Sequence, residues 1–451
     1  MGRKVVLHDT RTGRLRPLEP RQAGRVGIYA CGPTVYGRIH VGNARPYVVF
    51  LLLKRFLVHE GYDVNLVTNV TDVNDKIYAA AREAGVASEQ LAGEMTAAYF
   101  ADTDRLGLGR PDHEPLASAT IEDMIELIAE LIAGGHAYAV SGDVYFHVRS
   151  YPEYGELSHR RVEDMDQGEE VEGTHLKRDP LDFALWKAHK PGEDTAWDSP
   201  WGRGRPGWHI ECSAMAEGLL GLDFEIHGGG SDLVFPHHEN EAAQTRAARG
   251  VPLARLWVHN GMVRLHQAKM AKSVGNIFLL HQTLDEYGRD ALIMYFCGGH
   301  YRQPVEFDDE RLEEAAARVQ RIREAGRRLV PGASPAWSEE LCRRFFDALA
   351  EDFNTPEALA VVFNWVRKAN SDPERAGSDD LREMLSVLGL DNLLDTEAVA
   401  APAQVLELLE ARERARDARD FAAADRLREQ IGALGWEVRD TPGGAEVLPA
   451  R

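Results

Sequence analysis

An apolar stretch from Val26 to Ala30, a glycine-bearing segment His40-Val41-Gly42-Asn43 and a long apolar run from about Ala44 to His59 constrain this chain more than any other feature. Together they read as a strand, a glycine turn and the start of a helix. A second strand follows from Asn65 to Val70, and a second helix starts near Asp75. Strand and helix alternating over roughly the first hundred residues predict the first half of a parallel, doubly wound sheet. Backbone N–H groups at the start of the helix, together with the positive end of its dipole, suit this place to a triphosphate.

At 451 residues the chain is too long for one ordinary core, and about three or four domains are expected. Its hydrophobic content of 44% allows each of them a core. From about Pro115 to Pro200 the character changes: a helix from Ala119 to Ala133, a short alternating strand from Asp143 to Val148 and an acidic stretch ending in Trp186 predict an insertion into the sheet. The Gly/Pro cluster from Asp198 to Gly207 then returns the chain to the core, because it cannot continue a helix or a central strand. Gly230-Ser231-Asp232 follows a strand expected to end near Ile226, at the carboxyl edge where open sheets bind nucleotides; a tight turn capped by Asp232 is the competing reading. Beyond about Ala315 the pattern is almost wholly helical, with breaks at Leu329–Ala336, Ser371–Ser378 and Thr396–Pro402. A helix from about Ala422 to Leu434 precedes Trp436–Arg439, the turn Thr441–Gly444 and Ala445–Leu448, which together signal a hairpin.

Cys31 lies in Cys31-Gly32-Pro33-Thr34-Val35-Tyr36, Cys212 in Trp208-His209-Ile210-Glu211-Cys212-Ser213, and His237-His238-Glu239-Asn240-Glu241 follows. His237 and Glu241 are spaced i, i+4, so a helix presents both from one face, and zinc accepts thiolate, imidazole and carboxylate ligands. The cysteines must then come from elsewhere in the fold. Taken alone, these residues leave open the commoner alternative of a structural cysteine and a surface His/Glu pair. A metalloprotease site through His238-Glu239 is excluded, since it needs a second histidine at 242, where Ala242 stands.

None of the four cysteines is at Cys-x-x-Cys spacing, which argues against a disulfide scaffold and suits a reducing cytosol. Cys297 and Cys342 read as buried structural thiols, and His8, His59, His136 and His281 as surface or packing residues. The start, Met1-Gly2-Arg3-Lys4, has no apolar signal core, and no run approaches the roughly 20 apolar residues of a membrane span, so a cytoplasmic protein without membrane contact is expected. The net charge of −20 does not exclude a nucleic acid, because a phosphate backbone responds to local basic surface rather than to the average. The helix bearing Arg311, Arg318, Arg321, Arg323, Arg327 and Arg328 is a candidate for such a surface. The competing reading is a solvated face with Glu314 paired to Arg318.

Far downstream comes Lys269-Met270-Ala271-Lys272-Ser273. With only 9 lysines in the chain, two within four residues are a notable concentration. This segment and His40-Val41-Gly42-Asn43 resemble the KMSKS and HIGH signatures of class I aminoacyl-tRNA synthetases, and their surroundings resemble the cysteinyl-tRNA synthetases in particular. The supporting segments are Asn69-Val70-Thr71-Asp72, Gly204 to Met215 and His227-Gly228-Gly229-Gly230-Ser231-Asp232, and the likeness runs in order from about Val5 nearly to the last residues.

The resemblance implies a fold of class α/β: a Rossmann-like catalytic domain with an insertion, followed by a helical bundle and a small mixed α/β C-terminal module. In residues, that is a first catalytic half over 1–115, a connective insertion over 116–200 and a second half over 201–253. A linking domain with the KMSKS-like loop follows over 254–315, then a tRNA-binding helical bundle over 316–400 and an anticodon-binding module over 401–451. The implied activity is ATP-dependent conversion of L-cysteine to cysteinyl-adenylate and transfer to the 3′ end of tRNA(Cys), by a monomer using ATP with Mg2+. His40, Asn43, Lys269 and Lys272 are the implied catalytic groups, fixed donors and cations for the negative charge spread over the phosphates. Gly42, Gly230 and Asp232 join His40 and Lys272 in holding the nucleotide, with adenine near Asn260-Gly261-Met262-Val263. Thr71 and Trp208 line the cysteine pocket. One zinc ion is implied on Cys31, Cys212, His237 and Glu241, with the substrate thiolate as fifth ligand. Direct coordination separates cysteine from serine by more than the ~1 to 3 kcal/mol that an apolar pocket supplies for a methylene, so no editing domain is needed.

The chain departs from the family's pattern at three places. Asn43 stands for the last His of HIGH, Ala271 for the first Ser of KMSKS, and the segment Gly443 to Val447 lacks the tryptophan often found near this end. Two other readings share much of this pattern: a ligase of mycothiol biosynthesis that joins cysteine to an aminosugar, and a non-catalytic paralogue that binds nucleotide or RNA. The first lacks an anticodon module, whereas this chain continues through Asp352-Phe353-Asn354-Thr355-Pro356 and the segment from Asp425 to Pro442. The second would not need His40, Lys269, Lys272 and all four presumed metal ligands.

Overall fold

The structure is a computed structural model and describes residues 3–165, 174–265, 268–269, 278–371, 376–395, 401–441 and 444–449. The chain divides into two compact units, Met1–Asn392 and Leu393–Arg451.

The first unit opens with an antiparallel hairpin, β1 (Val6–Asp9) and β2 (Arg14–Pro17). Then come β3 (Arg25–Ala30), α1 (Val41–His59), β4 (Asp63–Thr68), α2 (Asp75–Ala84) and α3 (Ser88–Asp104). These match the expected strand–helix alternation to within a few residues. The insertion holds α4 (Ile121–Ala133) and the strands β5 (Ala137–Val140), β6 (Asp143–Phe146), β7 (Phe183–Ala188) and β8 (Gly204–Pro206) in one antiparallel sheet of order β5-β6-β7-β8. The Gly/Pro cluster thus contributes an edge strand, a position where Pro206 removes no inner hydrogen bond.

The chain returns through α5 (Trp208–Leu220), β9 (Phe224–Gly230), α6 (Glu239–Arg249) and β10 (Ala254–Asn260). The central sheet is parallel throughout, in the order β10-β9-β3-β4. Contrary to the expectation of an end near Ile226, β9 runs on through its glycines, because Gly228, Gly229 and Gly230 pair in register with Val258, His259 and Asn260 of β10. Non-local pairing here overrides the poor strand preference of glycine. The helix α1 is buried on nearly all sides, with Phe50 and Phe56 fully enclosed, so its sequence is apolar rather than amphipathic.

Next are β11 (Val263–Leu265), β12 (Ala268–Lys269), α7 (Leu280–Gly298), broken at Gly288, and β13 (Val305–Glu306), with β11 between β12 and β13. Helices α8 (Asp309–Gly326), α9 (Ala336–Ala350), α10 (Thr355–Ala369) and α11 (Asp379–Val387) complete the unit. Three of the six arginines in and after α8 are engaged: Arg311 with Asp308, Arg323 with Asp290, and Arg321 over the Phe363 ring. Cys297 is buried as expected. Cys342 is not: it is half-buried on α9, 3.8 Å from Glu383, because one face of that helix meets solvent.

The second unit pairs α12 (Ala403–Asp417) with α13 (Phe421–Ala433) and ends in the antiparallel hairpin β14 (Trp436–Thr441) and β15 (Gly444–Pro449). Its small core gathers Val405, Ile431, Trp436 and Val438. Among the described residues, no helix is long and apolar enough to cross a membrane.

Candidate active site and metal centre

The carboxyl ends of β3, β9 and β10 open into a cleft of about 620 Å³. One side is the start of α1. His40 is its N-cap, its ring Nδ1 accepting from the Asn43 backbone N–H at 3.3 Å while the Asn43 side-chain oxygen accepts from the His40 N–H at 3.3 Å. This closed capping box shows what Asn43 does at the fourth position of the motif. Gly42 is required beside it, since a Cβ there would lie 2.8 Å from the His40 ring. His40, Gly42 and Asn43 all line the cleft, as do Gly230, Asp232, Gly261 and Met262 across from them.

Lys269 lies on β12, whose partner is β11, but its side chain and the whole of Met270, Ala271, Lys272 and Ser273 lie outside the described residues. The chain resumes at Phe278 and Leu279, which are tied to the other side of the cleft. The Val41 N–H donates to the Phe278 carbonyl at 3.0 Å, and the Leu280 N–H donates to the Ile39 carbonyl at 3.0 Å.

Cys31 lines the cleft, and the other three residues singled out as metal ligands are buried around it. One donor atom from each of Cys31, Cys212, His237 and Glu241 lies within 4.8 Å of all the others. The Cys31 and Cys212 sulfurs are 3.8 Å apart, Cys31 Sγ is 3.7 Å from Glu241 Oε1, and His237 Nε2 is 3.0 Å from the same oxygen. Cys31 follows β3 directly, Cys212 comes from α5 and Glu241 from the first turn of α6. His237 lies in the helical turn Val234–His238, which is broken only at Phe235 and runs on into α6, so the i, i+4 contact with Glu241 is made.

Burial favours the uncharged form of these donors. The Cys31 thiol is pushed well above its ordinary value, the Glu241 carboxyl up to about 7, and the His237 imidazole down to about 3. Two thiols, an imidazole and a carboxylate so placed fit zinc by donor chemistry and spacing, since a divalent cation is what makes their ionised forms favourable in a buried site.

Sequence reasoning missed a second tier of histidines. His227 Nε2 meets Glu241 Oε2 at 2.8 Å, His238 Nε2 meets Cys31 Sγ at 3.2 Å, and the other His238 nitrogen reaches His259 at 2.7 Å, which in turn meets the Thr10 hydroxyl. Cys31, His227, His238 and Glu241 form an alternative donor group. His227 lay within a quoted segment, but nothing in a glycine-rich strand marks one residue as a ligand neighbour. Lys76 was also missed: it lines the cleft, with its ammonium 6.0 Å from the Trp208 ring centre and 5.9 Å from that of Tyr36.

Trp208 lines the cleft and stacks on His237 at 4.2 Å. Thr71 is buried just behind, donating to Glu211 Oε2 at 3.1 Å and accepting from Asn69 at 3.2 Å. Glu211 is itself fully buried, which holds its carboxyl well above the usual range.

A family model described as tRNA synthetases class I (C) catalytic domain matches residues 17–317. A DALR domain matches 344–392, and the cysteinyl-tRNA ligase anticodon binding domain matches 399–447. The chain is 44% identical over 460 residues to a cysteine–tRNA ligase of Caldicellulosiruptor saccharolyticus, covering 98% of this chain and 99% of that one. It is 47% identical over 454 residues to the cysteine–tRNA ligase of Halorhodospira halophila, covering 98% of each. Among solved structures, methionyl-tRNA synthetase of Mycobacterium tuberculosis in complex with methionyl-adenylate superposes with a TM-score of 0.60 at 16% identity, over 89% of this chain and 96% of that one. The Agrobacterium radiobacter K84 agnB2 LeuRS in ternary complex with tRNA and LeuAMS gives a TM-score of 0.62 at 11% identity, over 84% and 86%. These likenesses establish the fold.

Proposed function

The chain belongs to the cysteine–tRNA ligases of the class I synthetases and charges tRNA with cysteine, and from that premise we propose how its own residues divide the work. The anticodon binding domain match over 399–447 sets aside the aminosugar ligase, which lacks such a module.

Cysteine lies in the cleft beside Cys31 and Trp208, with Thr71 behind it. Cys31, Cys212, His237 and Glu241 would hold one zinc ion. Bound there, zinc supplies a Lewis acid that takes a thiolate but not a hydroxyl as a good further ligand, which selects cysteine over serine without editing. ATP, as its magnesium complex, lies along the rim: its phosphates face the start of α1 at His40, Gly42 and Asn43, and its ribose faces Gly230 and Asp232. Lys269 and Lys272 bring cations to the phosphates as charge develops during attack by the cysteine carboxylate on the α-phosphate. Pyrophosphate leaves, and the adenylate passes its cysteinyl group to the 3′ end of tRNA(Cys), which the helical region and the Leu393–Arg451 unit recognise.

The observation that carries this reading is the convergence of two thiols, an imidazole and a carboxylate in one buried group that meets, at Cys31, a cleft lined by the signature residues of α1 and β9.

Metal analysis of the purified protein and its Cys212→Ser variant, alongside cysteine-dependent exchange of pyrophosphate into ATP, tests the assignment. The variant is expected to lose zinc and cysteine activation while keeping its affinity for ATP. Stoichiometric zinc in Cys31→Ser, Cys212→Ser and His237→Ala alike would remove these residues as ligands.

A further inference from the structure

Arg45 sits two residues beyond the capping box of α1, and its side chain is completely buried. Among the described residues it has no carboxylate partner. Its guanidinium instead donates only to backbone carbonyls. One terminal nitrogen reaches those of Gly261 at 2.6 Å and Met262 at 3.2 Å, and the other reaches those of His300 at 3.2 Å, Tyr301 at 3.2 Å and Gln303 at 2.8 Å. A buried cation held only by carbonyl dipoles is costly, and burial lowers its pKa to about 10. Packing alone would be served more cheaply by an apolar side chain.

What the guanidinium holds is informative. Gly261 and Met262 line the cleft beside Asn260, on the stretch leading into β11 and then towards Lys269. The segment from His300 to Val305 runs alongside: the Gly261 N–H donates to the Tyr301 carbonyl at 2.7 Å, and the Val305 N–H to the Met262 carbonyl at 3.0 Å. The two backbones approach so closely that a Cβ on Gly261 would lie 2.3 Å from Gln303. This second segment is fixed from behind by Asp352. One of its oxygens accepts from the Tyr301 hydroxyl at 2.9 Å and the His8 N–H at 2.8 Å, and the other from the Arg302 side chain at 2.7 Å. Asp352 and Phe353 both hold positive φ, of 59° and 48°, a conformation that persists only where the surroundings enforce it.

We propose that Arg45 is a positioning residue for the nucleotide: it locks the Gly261–Met262 wall of the cleft to α1, so that the helix presenting His40 and Asn43 to the phosphates and the backbone facing the base keep one spacing. This rests on the nucleotide lying in the cleft as described above. Arg45 touches neither substrate and acts through the carbonyls it holds. A planar fork reaches five carbonyls, whereas the compact ammonium of a lysine cannot.

Pyrophosphate exchange measured on Arg45→Lys and Arg45→Met, with ATP and cysteine varied in turn, is the test, with thermal melting of each variant. A wall displaced by an ångström is expected to lower kcat/KM for ATP by roughly a hundredfold, leave KM for cysteine within about twofold, and narrow the preference for ATP over GTP. Lysine should retain more activity than methionine. Equal losses for ATP and cysteine, unchanged ATP kinetics, or variants that do not fold at all would each make Arg45 a structural staple and overturn the proposal. Asp232→Ala separates the two readings. If it leaves KM for ATP unchanged, the nucleotide site itself is misplaced; if it raises that KM while Arg45→Lys does not, only the inference about Arg45 falls.

Discussion

Gly42→Ala separates local stability from catalysis: the first is expected to change little and the second to fall. In a helix, Gly→Ala ordinarily stabilises by roughly 0.5–1 kcal/mol, because alanine loses less conformational freedom on folding. Here the added Cβ would stand 2.8 Å from Cε1 and 2.9 Å from Nδ1 of the His40 ring, so the ring must swing away and the capping box opens. Loss of a cap costs about 0.5–2 kcal/mol, which roughly offsets the gain. The melting temperature should therefore change little. The rate should not survive so well: if His40 and its neighbouring N–H groups stabilise phosphate charge, misplacing one such donor costs about 2.7–4 kcal/mol of transition-state stabilisation, or about 10²–10³-fold in kcat for pyrophosphate exchange. Gly93→Ala in α3, where a Cβ would meet nothing within 4 Å, is the control, expected to gain the full helix-forming increment with unchanged kinetics. A Gly42→Ala protein that is as active as the parent, or one that loses activity only in proportion to lost folded protein, would refute the reasoning.

Lys272→Ala should reduce the exchange rate far more than it weakens cysteine binding, and Ala271→Ser should be mild, since it adds only a neutral hydroxyl; equal losses in rate and affinity would reduce the loop to a structural role. Ending the chain at Asn392, the limit of the first compact unit, should leave zinc content and adenylate formation largely intact and remove most charging of tRNA(Cys). Binding of that tRNA by the full chain should fall steeply with salt, and a shallow slope in filter binding would contradict phosphate recognition. Acid should destabilise the metal-free protein through His209 and His259, which burial holds neutral with pKa values near 3 against an ordinary 6.5. Above that ordinary value neither state is charged and stability is flat. Below it the unfolded chain takes up protons that the folded one refuses, so stability falls by up to about 1.4 kcal/mol per pH unit for each histidine. A urea midpoint that does not move between pH 6.5 and 5 would contradict this.

The strand–helix alternation of β3, α1, β4 and α2 was legible because burial of a parallel sheet writes continuous apolar runs that short-range patterns report. The same logic failed at Gly228 to Gly230, where strand structure comes from pairing with β10 and from space, since a Cβ on Gly228 would lie 2.2 Å from Phe50. The four clustered donors were legible through resemblance and, for His237 and Glu241, through spacing. That spacing held for the reason inferred, since helical backbone runs from Pro236 through His237 into α6 and brings His237 to Glu241. His227, His238 and Lys76 escaped because their importance is purely spatial. No local pattern announces that a strand histidine faces a carboxylate 14 residues on. The role of Arg45 was hidden for the same reason, as its five partners are backbone atoms, which carry no sequence signal.

The order of strands in the central sheet bears on how the chain is made. β4 lies beside β3 in sequence as in space, but the other neighbour of β3 is β9, and the Cys31 N–H donates to the Gly228 carbonyl at 3.0 Å. Cys31 and Cys212 are separated by 181 residues. At ~5–20 residues per second, a ribosome takes about ten to forty seconds to supply that span, during which one edge of β3 has no partner. The whole insertion must emerge before that edge is covered and the donor set is complete. The donor set is complete once Glu241 has been made, a little past the middle of the 451-residue chain, and the nascent chain has its greatest need of protection from edge-to-edge association in the interval before β9 arrives.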